Sequence, residues 1–167
     1  MYTTVQSFEA EWKSVSKNTL KLFEALTDES LNQSVSGGHR TLGRIAWHIA
    51  MTLPEMAGQT GLDFAGFDHE QPVPQTAMEI TGTYQKLAAL VAERCMVDWT
   101  DVEMTEELEL YGERFPRGVW GRSLIHHEIH HRGQMTILMR QAGLAVPGLY
   151  GPSKEEWSTF GMEEPVV

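Results

Sequence analysis

The sequence predicts an all-α fold, a four-helix bundle with long loop connections and a short C-terminal helix. Three observations predict it. Four segments repeat apolar side chains at the spacing of an amphipathic helix. Only one short stretch alternates as a strand would. Polar or Gly- and Pro-rich breaks separate the four segments, and helices that must each bury one stripe settle as a bundle.

The first helix is expected from about Val5 to Leu26, where Phe8, Trp12, Val15, Leu22, Phe23 and Leu26 recur at helical intervals with Lys and Glu between them. The polar run TDESLNQSVSGGHRT, with its Gly37-Gly38 pair, breaks it. Thr41 is the candidate N-cap of a second helix, LGRIAWHIAMTLPEM, which Pro54 kinks or brings to its last turn. GQTGLDFAGFDHEQPVPQT reads as loop, and Thr76 caps a third helix, AMEITGTYQKLAALVAERCM. From Val97 to Arg117 the chain is irregular, with ELELYGERFPRG as a short hairpin. The fourth helix is expected from about Val119 through Gln141, stopped by Gly143 as C-cap with Pro147 just beyond. In SKEEWSTF, Ser153 and Glu156 fit a capping box for one short last helix. Of the long connections after the second and third helices, at least one crosses the bundle or covers its end. No repeat, low-complexity tract or linker divides the chain, so residues 1–167 are expected to form one domain.

The formal net charge of −10 disfavours nucleic acid or an anionic membrane surface as partner, since both ask for a basic face. No stretch approaches the ~18 apolar residues that span a bilayer, and MYTTVQSFEAEW lacks the apolar run of a signal peptide. Cys95 is the single cysteine, which rules out an internal disulfide. It reads as a small buried hydrophobe. A reducing, cytoplasmic setting is the expectation.

The chemistry concentrates in SLIHHEIHHRGQM. His126 with His130, and His127 with His131, form two overlapping i, i+4 pairs, each sharing a helix face. At roughly 100° per residue, Trp120, Leu124, Met135, Leu138 and Met139 define the apolar arc, and His127 and His131 fall within it or at its edge. His126 and His130 fall nearly opposite, solvated or facing a neighbouring subunit. On the second helix His48 sits at the edge of the stripe Leu42, Ile45, Ile49, Leu53 and Met56, as does Glu55. A lone histidine there is usually a hydrogen-bonded core residue. Two inward imidazoles at i, i+4 can aim their Nε2 atoms at one point, however, and a third from a facing helix completes the open arrangement of a catalytic metal site.

The pieces WHIA, HHEIHHRGQM and LMRQAGLAVPGLYGP together resemble the DinB/YfiT-like superfamily of metal-dependent enzymes. The resemblance covers nearly the whole chain in helix order and length and is most specific at the fourth helix. It implies a divalent metal, zinc or nickel, on His48, His127 and His131, the three that the helical wheel selects. It implies a homodimer acting on a small-molecule substrate. Relatives include thiol transferases that use bacillithiol, mycothiol or glutathione, and a mycothiol-dependent maleylpyruvate isomerase. The expected function is therefore metal-dependent transfer of a low-molecular-weight thiol, such as bacillithiol, to an electrophile. A hydrolase using metal-activated water, and a non-catalytic metal-binding stress-response protein, are the alternatives.

His127–His131 also satisfies H-E-x-x-H, the zinc-peptidase motif with Glu128 as general base and Glu155 or Glu156 as a distant third ligand. The chain offers little of the sheet such peptidases need, and Gly133 comes one residue early for the longer metzincin pattern. Around the site, Glu128 and Gln134 are the candidate catalytic residues: Glu128 as base or hydrogen-bond acceptor, Gln134 orienting His131 through its second nitrogen. Trp47 and Tyr150 are the candidate cofactor-binding residues that wall or close the pocket. Glu55 is a candidate fourth ligand or a solvated helix-end carboxylate.

Overall fold

The computed structural model describes every residue except His69, Pro165 and Val167. The part of the expected 58–76 loop at His69, and those two positions of the expected 1–167 domain, lie outside the described residues. Four helices carry the chain: α1 (Val5–Glu24), α2 (Leu42–Thr52), α3 (Ala77–Asp98) and α4 (Arg117–Gln141). The first three begin at threonines, whose hydroxyls accept first-turn backbone N–H groups: Thr4 from Ser7, Thr41 from Arg44 and Thr76 from Glu79. Each cap stabilises its helix by ~1 kcal/mol.

Pro54 acts as its lack of an N–H dictates. Beyond Thr52 the helix widens into a π turn, Leu53–Ala57, and then tightens to a 3-10 turn, Gly58–Thr60. The short hairpin is present as β1 (Glu107–Leu110) and β2 (Glu113–Pro116), with Leu110 opposite Glu113. Tyr111 and Gly112 both take positive φ at its two-residue turn, as a tight hairpin requires. Helix α4 starts two residues earlier than expected. The Arg117 N–H donates to the Glu106 carbonyl at 2.9 Å, which sews the first turn to the hairpin. A Cβ on Gly118 would lie 1.8 Å from the Tyr2 carbonyl oxygen, so glycine is what lets the N-terminal segment cross α4 there. Gly143, at φ 77°, ends the helix as expected. Lys154–Phe160 forms a 3-10 turn under the Ser153/Glu156 capping box.

Helix α1 packs on α3 and α4, and α2 packs on the same two. The diagonals of the bundle are therefore α1 with α2 and α3 with α4. The connection after α3, through the hairpin, crosses the bundle as expected. The one after α2 instead joins neighbours, and the second crossing is the α1–α2 connection. The core holds Phe8, Trp12, Leu22 and Phe23 of α1, Leu42 and Ile49 of α2, Ile80 and Leu87 of α3, and Met135 and Met139 of α4.

One polar cluster interrupts this core. Glu128 of α4 is buried, and its Oε1 accepts hydrogen bonds from Thr19 of α1 and from the Tyr84 hydroxyl of α3, which reaches across the diagonal. Arg132, one turn further along α4, donates to the Val15 carbonyl at 2.8 Å. Burial pushes the Glu128 carboxyl up from the usual carboxylate range, opposed by the Thr19 and Tyr84 hydrogen bonds and by the Arg132 charge. Removing one donor from a buried carboxylate costs about 1.5–3 kcal/mol. Tyr84→Phe keeps the packed ring and is expected to lower unfolding free energy by about that amount, read from the midpoint of a urea titration at unchanged slope.

Candidate metal centre

Helix α2 is buried on most of its surface, and His48 lies on its one half-exposed strip, a turn after Arg44. That strip faces α4. The Thr52 hydroxyl donates to the His48 carbonyl at 2.8 Å, which holds the last turn before the π segment. Across the gap stand His127, half-buried, and His131, buried. His126 and His130 are exposed, as the wheel predicts.

The three inward rings converge edge to edge rather than stacking. Their planes meet at 69°, 88° and 73°, with centroids 4.4–5.0 Å apart. His48 Nε2 lies 3.2 Å from His127 Nε2, and His131 Nε2 lies 3.1 Å from the same atom. The three donor atoms all fall within 4.8 Å of one another. Among the described residues, no carboxylate or thiol joins this group.

The two separations from His127 match a shared ion. Two imidazole nitrogens, each ~2.0–2.1 Å from one metal, lie roughly 2.9–3.4 Å apart for bond angles near 90–110°. Hydrogen bonds alone serve the trio poorly. Gln134 Oε1 lies 2.7 Å from His131 Nδ1, so that nitrogen carries the ring proton and Nε2 is bare. The other end of the same amide meets His130 Nε2 at 3.1 Å, which fixes which way it points. At most one Nε2–H is then left to satisfy the contacts of His127 with both neighbours.

All three rings are held neutral, the form that binds metal. Burial, reinforced by His131 and His127 and by the Arg40 and Arg44 charges, pushes the His48 pKa down to about 4. Burial does the same to His127, again to about 4, with His131, His130 and Arg40 adding to it. His131 is lowered as well, chiefly by burial, with Gln134 opposing.

A cleft of about 530 Å³ opens beside His131 and Gln134. Its apolar walls are Val35, Ile45, Ile137 and Leu138, and His39 and Arg40 stand at its edge. SGGHR breaks the helical pattern in sequence, and its histidine and arginine beside the glycine pair are the signal for this edge. A larger groove, about 740 Å³ between α1 and α3, contains none of the histidines.

The other expected site residues lie elsewhere. Glu128 is turned toward α1 and α3 in the cluster described above, not toward the histidines. Trp47 is buried and donates to the Gln71 carbonyl at 3.0 Å, pinning the α2–α3 connection, and does not line the cleft. Tyr150 is largely exposed on the C-terminal tail, with its hydroxyl and ring against Arg132, and does not line the cleft either. Glu55 accepts from the Tyr111 hydroxyl at 3.2 Å on the π turn. Glu155 pairs with Arg140, and Glu156 caps Gly148 and Ser153. Neither supplies a third peptidase ligand.

Known proteins share this architecture. The sequence pattern of the DinB family matches residues 1–165. An uncharacterised Bacillus subtilis protein, YrdA, is 42% identical over 165 residues, 99% of each chain. The crystal structure of a DinB-like protein from Bacillus cereus ATCC 10987 superposes with a TM-score of 0.85 at 43% identity, covering 90% of this chain and all of that one. A second DinB-like protein, YjoA of Bacillus subtilis, superposes at 0.69 with 15% identity over 88% of this chain and 99% of its own, which speaks to the fold alone.

His48 and His127 titrate near 4 in the folded protein, against 6.5 in an open chain. As pH falls below 6.5 the unfolded chain gains protons that the folded chain refuses until about 4. Metal-stripped protein is therefore expected to lose stability across that window and to level off below it. Urea unfolding in EDTA between pH ~7 and ~4 measures this, and His48→Gln should flatten the slope.

Proposed function

We propose, from the premise that this chain belongs to the DinB family, that its three-histidine centre holds one divalent ion, zinc or nickel, and serves metal-dependent transfer of a small thiol. The observation that carries the reading is the convergence of three neutral Nε2 atoms at a spacing suited to one ion, with no fourth protein ligand among the described residues. Three imidazoles with an open position are the donor set of catalytic rather than structural zinc sites.

A divalent cation held there would supply a charge that favours the thiolate over the thiol, whose free pKa is ~8.5. The residues of the chain set the stage for it. His48, His127 and His131 would hold the ion through their Nε2 atoms, and Gln134 keeps the His131 proton on Nδ1. The cleft beside His131 admits the electrophile. The thiol gives up its proton to solvent, its sulfur forms the new C–S bond, and the leaving group departs from the same carbon. In this reading the protein works as a homodimer on a small-molecule substrate.

The peptidase reading has less support. Its general base would be Glu128, and that carboxylate is engaged by Thr19 and Tyr84.

Metal analysis by mass spectrometry of purified protein tests the centre. We expect about one ion per chain and its loss in His48→Ala. A variant that keeps its full metal content would remove His48 from the site. Gln134→Leu leaves the three ligands in place and is expected to weaken metal affinity about 10–100-fold, measured by competition with a chromogenic chelator. Loaded protein is then screened with small thiols and electrophiles for C–S bond formation.

A further inference from the structure

The cleft beside the triad has a charge character at odds with the rest of the chain. The protein carries 23 acidic against 13 basic residues, and Arg94, Arg114, Arg117 and Arg140 each meet a carboxylate. Among the described residues Arg40 and Arg44, which lie two turns and one turn before His48 in sequence, meet none and donate no side-chain hydrogen bond, and the same holds for Arg122. Of these three, Arg40 is the one that lines the cleft with His131, where its guanidinium is free to take an anion from outside.

Local structure holds Arg40 in place. The segment from Ser34 to Thr41 folds back on itself, closed by the Ser34–Thr41 bridge and by the Leu42 N–H donating to the Gln33 carbonyl at 2.7 Å. Gly38, at φ 79°, makes the tip. Val35 rises on one arm and Arg40 descends on the other, directly into the Thr41 cap of α2. The cleft then runs from Arg40 past His131 and Gln134 to the apolar wall. Two of its lining side chains, Val35 and Ile137, are 62% and 60% exposed, on the α1–α2 connection and α4 respectively. Exposed apolar side chains beside an unpartnered guanidinium match a ligand with an acid group and a short apolar body.

We propose that this cleft binds a small organic anion, its acid group on the Arg40 guanidinium and its apolar portion between Val35 and Ile137, as the acidic substrate of the three-histidine centre. The assignment as substrate rests on the function proposed above, whereas the anion site itself does not. Arg40 and His131 line the same cleft, which places the acid group close to the histidine end of it. His39 lines the same edge and offers a second donor.

The test is an NMR titration of metal-stripped and zinc-loaded protein with hexanoate, hexyl phosphate and hexanol, on wild type and Arg40→Met. Stripped protein removes direct ligation of the acid group by metal. We expect either anion to bind stripped wild type with shifts at His131, Gln134 and Ile137, about tenfold or more tighter than hexanol. We expect Arg40→Met to lose that preference while keeping its metal content and its hexanol affinity. Whichever of carboxylate and phosphate binds more tightly names the acid group. Equal binding of hexanoate by Arg40→Met and wild type, or no discrimination against hexanol, would overturn the anion site even if the protein holds its zinc. Conversely, Arg40-dependent binding in a protein that holds no metal would uphold the anion site and remove the thiol-transfer reading.

Discussion

The rotation of α4 about its own axis is the constraint on which the rest of the structure depends. This helix carries two polar pairs one residue apart, His127 with His131 and Glu128 with Arg132. At roughly 100° per residue they leave the helix on different faces. Glu128 and Arg132 are both buried, and ionisable groups are costly to bury without partners. Their partners are on α1 and α3: Thr19, the Val15 carbonyl, and Tyr84 from across the diagonal. These contacts hold α4 in the rotational setting that turns His127 and His131 toward α2. A shift of one residue would strand the carboxylate and aim His126 and His130 inward instead. The three-histidine cluster inherits its alignment from a polar anchor that does not touch it.

This arrangement explains what could be read from the sequence and what could not. The inward histidine pair was legible because a helical wheel reports the apolar arc directly, and buried Leu124, Met135, Leu138 and Met139 confirm the arc. The caps at Thr41 and Thr76, the Gly143 stop and the hairpin turn were legible because each is a local device with its own residue requirement. Glu128 was misplaced for the opposite reason. The wheel correctly turns it inward, but inward covers two neighbours, and only tertiary structure says that the carboxylate meets α1 and α3 rather than the histidines. Trp47 and Tyr150 were linked to the pocket by sequence proximity, to His48 and to the family run. Adjacent positions on a helix point about 100° apart, and Trp47 accordingly leaves α2 toward the α2–α3 connection. Arg40 went unread because loop residues have no periodicity to interpret.

Gln134 gives the outer face of α4 a part in the centre. Its amide spans His131 Nδ1 and His130 Nε2, so the orientation of an inward ring depends on an exposed one. The acceptor fixes the His131 tautomer, which is what makes its Nε2 a ligand rather than a donor. Of the four histidines in the run, three therefore act on the centre, two by pointing at it and one through an amide.

The rim raises a last question of charge. Arg40 helps keep all three histidines unprotonated, and Arg44 does so for His48, yet the same positive charge would oppose a divalent cation among those nitrogens. Two cationic features side by side are unfavourable in isolation and favourable once an anion lies between them, since it is then attracted by both. In a chain whose acidic surface repels anions generally, a cationic rim also focuses them on one opening. The arginine that burdens the metal-loaded, ligand-free state is therefore the group that most increases the gain when an acidic ligand arrives. A rim of this sign would make physical sense for a three-histidine site that holds a metal and an anion together, and little sense for one that holds a metal alone.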